Sequence, residues 1–115
     1  MTVRVRVRFI GIFQVLSGES QVELQLREGA ILRDAVQKLV TSLPPEFGVA
    51  LIDPVLGDPR PNALILLNGR EISVFHGVET AVMDGDELVL VPVAHGDDRT
   101  RGVSRADVFR VLSWQ

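Results

Sequence analysis

Few side chains in this sequence stand at spacings that could do chemistry. His95 is followed by Gly96, Asp97 and Asp98, and an imidazole beside two carboxylates can bind a divalent cation or exchange a proton. The donors fall in a run with neither helical nor strand spacing, so nothing aims them at one point, and they read as solvated loop residues. His76, beside Gly77, reads as a turn residue. Arg4, Arg6 and Arg8 form a ladder that could meet phosphates, yet three arginines on an outer strand face equally suit a plain solvated surface. Asn68-Gly69 has the composition of a two-residue hairpin turn. The chain has no cysteine, which removes disulfides, thiolate metal sites and a cysteine nucleophile together. It also lacks a phosphate-binding glycine loop, a Ser/His/Asp set at recognisable spacing and paired carboxylates in an apolar cleft. The expectation is a protein that is not an enzyme and holds no cofactor or metal.

The functional content lies instead in an arm. Asp84-Gly85-Asp86 forms a turn into the apolar run Leu88 to Val91, which Pro92 ends because proline cannot donate to a sheet ladder. An apolar run without alternation predicts a central strand covered on both faces. Pro92, Val93, Ala94, His95 and Gly96 then leave that strand as a small, irregular arm that can reach into another protein's active site.

The elements that must position this arm follow from hydrophobic periodicity. Val3, Val5, Val7 and Phe9 alternate with Arg4, Arg6 and Arg8, and Val22, Leu24 and Leu26 alternate with Glu23, Gln25 and Arg27. Period two predicts two half-buried strands, most simply an antiparallel hairpin in which Glu23 offsets one arginine. Gly11 to Ser20 between them reads as a loop. Leu32, Ala35, Val36, Leu39, Val40 and Leu43 then follow helical spacing up to Pro44-Pro45, with Ala30-Ile31 where a polar cap is expected. Phe47 to Ile52 reads as a short irregular segment, and Asp53 to Pro61, with its three prolines, as a surface loop. Ala63 to Leu67 and Arg70 to Val74 flank Asn68-Gly69 as a third and a short fourth strand. This order predicts an α+β fold of the ubiquitin-like β-grasp kind: a mixed sheet of about five strands under one main helix, with the last strand parallel to the first in mid-sheet.

One hundred and fifteen residues fit one such domain. Net charge is −3 and uneven, with 8 basic against 12 acidic residues in 1–96 and 4 against 3 in 97–115. This acidity argues against nucleic-acid and anionic-membrane partners. No apolar run approaches the ~20 residues of a membrane span, and the arginine-rich start is not a signal peptide. A thiol-free chain of this kind fits the cytoplasm.

Several segments together resemble the MoaD/ThiS family of ubiquitin-like sulfur-carrier proteins. They are Val5-Arg6-Val7-Arg8-Phe9-Ile10-Gly11, Glu28-Gly29-Ala30-Ile31-Leu32-Arg33-Asp34, Leu67-Asn68-Gly69-Arg70-Glu71-Ile72, and Asp84-Gly85-Asp86-Glu87 followed by Leu-Val-Leu-Val-Pro-Val. The resemblance covers about residues 1–96. It implies a terminal Gly-Gly whose carboxylate an E1-like adenylyltransferase of the MoeB/ThiF type activates, then a thiocarboxylate that passes sulfur to an accepting enzyme. The activated terminus would be Gly96. This sequence departs from the pattern, since His95-Gly96 or Gly96-Asp97 stands at the diglycine, according to register, and the chain continues to Gln115. A processing protease that removes the tail is therefore an expected partner. The receiving pathway is open among molybdopterin biosynthesis, thiamine, cysteine, tungsten cofactor and protein modification.

Residues 97–115 form a second unit after the 1–96 domain. Asp97 to Gly102 is linker-like, whereas Ser104 and Asp107, with Val103 and Val108 placed as a hydrophobic staple, predict a C-terminal helix. Val108, Phe109, Leu112 and Trp114 make it apolar enough to dock on the chain's own sheet or on a second copy, as a homodimer. Three classes of function follow: a carrier activated after tail removal, a non-catalytic interaction module that has lost the diglycine chemistry, and an RNA-binding β-grasp, which the acidity disfavours.

Overall fold

The computed structural model of the chain describes residues 1–93. Ala94, His95, Gly96 and the whole 97–115 unit, including Val108, Phe109, Leu112 and Trp114, lie outside the described residues.

Strand β1 (Thr2–Phe9) keeps the alternation of its sequence, burying Val3, Val5, Val7 and Phe9 and exposing Arg4, Arg6 and Arg8. It pairs antiparallel with β2 (Gln21–Arg27), from Thr2 opposite Arg27 to Arg8 opposite Gln21. The connection between them is not the expected loop. It holds helix α1 (Ile12–Ser17), which buries Phe13 and ends at left-handed Gly18, whose N–H bonds the Gln14 carbonyl. Six residues are too few to show a helical period, and what fixes α1 is tertiary: the ring of Phe13 meets Phe47 edge-on at 5.9 Å, and Phe9 meets Phe47 at 5.3 Å.

Helix α2 (Leu32–Ser42) buries Leu32, Ala35, Val36 and Leu39, with Val40 and Leu43 half-buried. Its start is better satisfied than the sequence suggested. The Asp34 carboxylate reaches back to accept from the Ile31 N–H at 2.9 Å, and the Leu32 N–H donates to the Thr80 carbonyl at 2.8 Å. An acidic residue in the first turn also suits the helix dipole. The prolines that end α2 begin α3 (Pro45–Leu51), with Pro45 in the first turn, where its missing N–H costs nothing. The segment expected to be irregular is thus helical, and Gly48 lets it approach α2: a Cβ there would stand 3.0 Å from Val40 Cγ1.

Strand β3 (Ala63–Leu67) turns through Asn68 and Gly69, both at positive φ (51° and 85°), into β4 (Arg70–Glu71). Two positive φ values are what a type I′ hairpin requires. β4 stops short of the expected Val74 because Ile72–Val74 closes into a 3-10 turn. The Glu71 carboxylate accepts from the Ser73 N–H and hydroxyl, and the turn places Ile72 wholly in the core.

Strand β5 (Glu87–Pro92) completes a five-stranded sheet of order β2-β1-β5-β3-β4. It lies parallel to β1 and antiparallel to β3. Leu88 and Leu90 are fully buried under the helices, whereas Val89 and Val91 are only half-buried. The expectation of cover on both faces is therefore corrected: among the described residues the helices cover one face, and the opposite face is open. This is the ubiquitin-like β-grasp.

Candidate partner-binding face and C-terminal arm

The open face is set by register. Strand β5 turns Val89 and Val91 outward; β3 places Leu66 opposite Val89 and Leu64 opposite Val91. Leu64 is 40% exposed and the other three are half-buried, so the four form a shallow apolar patch in mid-sheet. Arg8 stands beside Val89 on the β1 side, and Glu71 stands opposite Leu66 on the β4 side. Arg6 lies between Glu23 on β2 and Glu87 on β5. The ion pair it makes is with Glu87, at 3.8 Å, rather than with the expected Glu23. An exposed pair of this length is worth ~0–1 kcal/mol and mainly orients the arginine. Arg6 and Arg8 of the ladder therefore border an apolar patch.

One end of β5 is clamped. The Arg4 N–H donates to Asp84 Oδ1 at 2.8 Å, the Gly85 N–H to the Arg4 carbonyl at 2.8 Å, and the Met83 N–H to Asp86 Oδ2 at 2.7 Å. Asn68 Nδ2 donates to Asp86 Oδ1 at 3.0 Å, and Asn68 Oδ1 accepts from the Glu87 N–H at 2.9 Å. The Asn68-Gly69 turn, expected to serve only the hairpin, thus also holds the turn that launches β5. A one-residue slip of β5 would turn Leu88 and Leu90 outward, so this clamp fixes both the apolar patch and the point where the strand ends.

At that far end, Pro92 still pairs with Ala63, and the Val93 N–H donates to the Asn62 carbonyl at 3.1 Å. Asn62 is itself tied by Nδ2 to the Leu51 carbonyl at 3.3 Å. Pro92 also packs on Gly11, at φ +59°, where a Cβ would come within 3.1 Å of Pro92 Cγ. Of the expected arm, Pro92 is thus the last residue of β5, and Val93 follows it, tied back by one backbone hydrogen bond. Val93, 37% exposed, stands two positions beyond the Leu64–Val91 pair.

The remaining sequence candidate, His76, is exposed and precedes a 3-10 turn, Gly77–Glu79; its N–H donates to Thr80 Oγ1 at 3.0 Å, a backbone role only. Among the described residues no three His, Asp or Glu side chains converge on one point, and no helix is long and apolar enough to cross a membrane. The sequence reading missed two features on the helical side. One is the pair of Asp58 with Arg60, at 2.6 and 2.9 Å, in which the Arg60 guanidinium holds the Asp58 carboxyl below its ordinary pKa. The other is a groove of about 230 Å³ between α2 and the 52–59 segment, floored by Val36, Val40, Ile52 and Pro59 and edged by Arg33 and Thr41. The groove depends on contacts between segments distant in sequence, hinted at only by the apolar stripe of α2, whereas the Asp58–Arg60 pair is local, two residues apart in one loop.

A β-grasp sheet with one open face and its chain leaving from the central strand defines a ubiquitin-like protein. No family model matches the sequence. Small archaeal modifier protein 3 of Haloferax volcanii is 30% identical over 91 residues, 78% of this chain and 96% of that protein. The solution structure of the Haloferax volcanii HVO 2177 protein superposes with a TM-score of 0.70 at 28% identity, covering 83% of this chain and 88% of its own. The putative molybdopterin converting factor, subunit 1, of Pyrococcus furiosus shares the fold, with a TM-score of 0.63 at 24% identity over 78% and 97% of the two chains. The chain belongs to the MoaD/ThiS family of ubiquitin-like β-grasp sulfur-carrier proteins.

Proposed function

We propose that this protein carries sulfur on the carboxyl group of Gly96, after the residues beyond it have been removed. In the sequence, Gly96 is bonded to Asp97, so its carboxyl is an amide and no nucleophile. Hydrolysis of that peptide bond by a processing protease frees the carboxylate. The carboxylate attacks the α-phosphorus of ATP on an E1-like enzyme of the MoeB/ThiF type, forming an acyl adenylate and releasing pyrophosphate. A sulfide equivalent then displaces AMP to give the thiocarboxylate, which a sulfur-accepting enzyme consumes. The groups that catalyse these steps belong to the partners; the carrier supplies a docking face and a reach.

The observation that supports this reading best is the geometry at Val93. The strand clamped by Asn68 and Asp86 ends beside the apolar patch of Leu64, Leu66, Val89 and Val91. A partner seated on that patch therefore receives the chain that follows Val93. Glycine at the reacting end suits a narrow channel because it has no side chain and a wide conformational range. An ATP-using partner supports a cytoplasmic location for the protein.

A second reading, a non-catalytic interaction module, draws support from His95, which stands where the family pattern has a glycine. Pyrophosphate exchange with an E1-like enzyme separates the two. The chain ending at Gly96 is expected to support exchange and the full chain is not; absence of exchange from both would leave the interaction module.

A further inference from the structure

We propose that residues 103–115 lie across the open face of the sheet, over Leu64, Leu66, Val89 and Val91, and cover the patch until the tail is removed. The consequence for activation rests on the carrier reading above, but the contact itself does not.

Three observations carry the proposal. The first is reach. Val93, pinned to Asn62, marks where the chain leaves the sheet, next to the Leu64–Val91 pair. Residues 94–102 form a nine-residue connection, which spans up to ~30 Å when extended. The patch itself extends only from the Leu64–Val91 pair to the Leu66–Val89 pair, two residues along the strands or ~7 Å. A connection of this length returns to the patch with slack, so exchange with a second copy is not needed to reach it.

The second is composition. Val103, Val108, Phe109, Val111, Leu112 and the only tryptophan of the chain, Trp114, fall within thirteen residues. Such a segment left in water is itself an apolar patch. Leu64 and its three neighbours supply a shallow, half-exposed complement in which aromatic and aliphatic side chains can replace water.

The third is charge. The patch is bordered by Arg6 and Arg8 on the β1 side, and by Glu71 and Glu87 on the β4 side and at the head of β5. The segment carries both matching signs, Asp107 for the arginines and Arg105 and Arg110 for the glutamates. An occupant with a single sign would meet repulsion on one border.

Trp114 is a built-in reporter. In the full chain its emission should be blue-shifted and poorly quenched by acrylamide, with the same spectrum at all protein concentrations and a monomer in light scattering. Leu64→Glu changes a half-exposed position, so the fold survives, as circular dichroism would check; it should shift the emission to the red and raise the quenching constant several-fold. Leu56→Glu, at the tip of the 53–58 loop where Leu56 is 69% exposed, should change neither. A solvated indole in the unaltered chain overturns the proposal, as does a buried indole indifferent to Leu64→Glu or responsive to Leu56→Glu. A dimer that releases Trp114 on dilution also overturns it, in favour of exchange between copies. If Trp114 is solvated while the chain ending at Gly96 supports pyrophosphate exchange, the cover fails and the carrier reading stands; a covered Trp114 without exchange gives the reverse.

Discussion

Asn68 and Glu87 hold each other twice: the Asn68 N–H donates to the Glu87 carbonyl at 2.8 Å, and the Glu87 N–H donates to Asn68 Oδ1 at 2.9 Å. One side chain thus joins a hairpin turn to the first residue of the central strand, and its remaining amide hydrogen-bonds Asp86. The arrangement needs a residue that tolerates positive φ and also carries both a donor and an acceptor. Asparagine meets both demands, whereas glycine meets only the first.

Asn68→Ala should therefore destabilise the protein by about 1–3 kcal/mol, combining a left-handed backbone penalty with the lost side-chain bonds. Asn68→Gly should cost less, because only the bonds are lost. Urea denaturation of both variants checks the order. Equal stability of Asn68→Ala and the unaltered chain would mean that the clamp does not fix β5.

Leu39 is fully buried on the stripe of α2 that packs against the sheet. Leu39→Ala removes its side chain from a site with no solvent access and should cost about 2–5 kcal/mol. A loss below about 1 kcal/mol in chemical denaturation would show that the cavity collapses or that the stripe is not core.

Much of this fold was legible because its signals are local. The alternation around Arg4, Arg6 and Arg8, the stripe from Leu32 to Leu39, and Asn68-Gly69 each report a backbone geometry through their own side chains. What was not legible depends on distant contacts. Helix α1 is held by Phe13 against Phe47, 34 positions on. The cap of α2 depends on Thr80 as much as on Asp34, and the early end of β4 depends on the core taking Ile72. The open face was obscured by composition: Leu88 to Val91 is uniformly apolar, yet only Leu88 and Leu90 are fully buried. The end of the central strand at Pro92 was legible; the bond from Val93 to Asn62 was not, because it leaves no mark in either residue's neighbours.

The Asp58–Arg60 pair gives a pH-dependent prediction. Arg60 lowers the Asp58 pKa in the folded state, so the pair contributes stability above the unfolded-state value, about 3.9. That contribution is lost as pH falls through the lower folded value. Arg60 is half solvated, which limits the effect to about 0.2–1 kcal/mol. Asp58→Asn should remove that share of stability at pH 6 and little of it near pH 2. Equal losses at both pH values would point to packing in the 53–60 loop instead of charge.

The final prediction concerns the departure from the family's diglycine end. In the chain that ends at Gly96, His95 places an imidazole next to the residue proposed to react. A side chain there restricts φ and ψ and adds width, whereas glycine adds neither. If the activating channel was shaped for two glycines, His95→Gly in the same shortened chain should raise pyrophosphate exchange, chiefly by lowering the carrier concentration for half-maximal rate. On the carrier reading the patch is the docking face, so Val91→Asp combined with His95→Gly should abolish the gain while circular dichroism shows the sheet intact. Exchange that is insensitive to residue 95 but lost with Val91→Asp would mean that the partner has adapted to histidine. Exchange sensitive to neither change, and supported equally by the full chain, would show that Gly96 is not the reacting end.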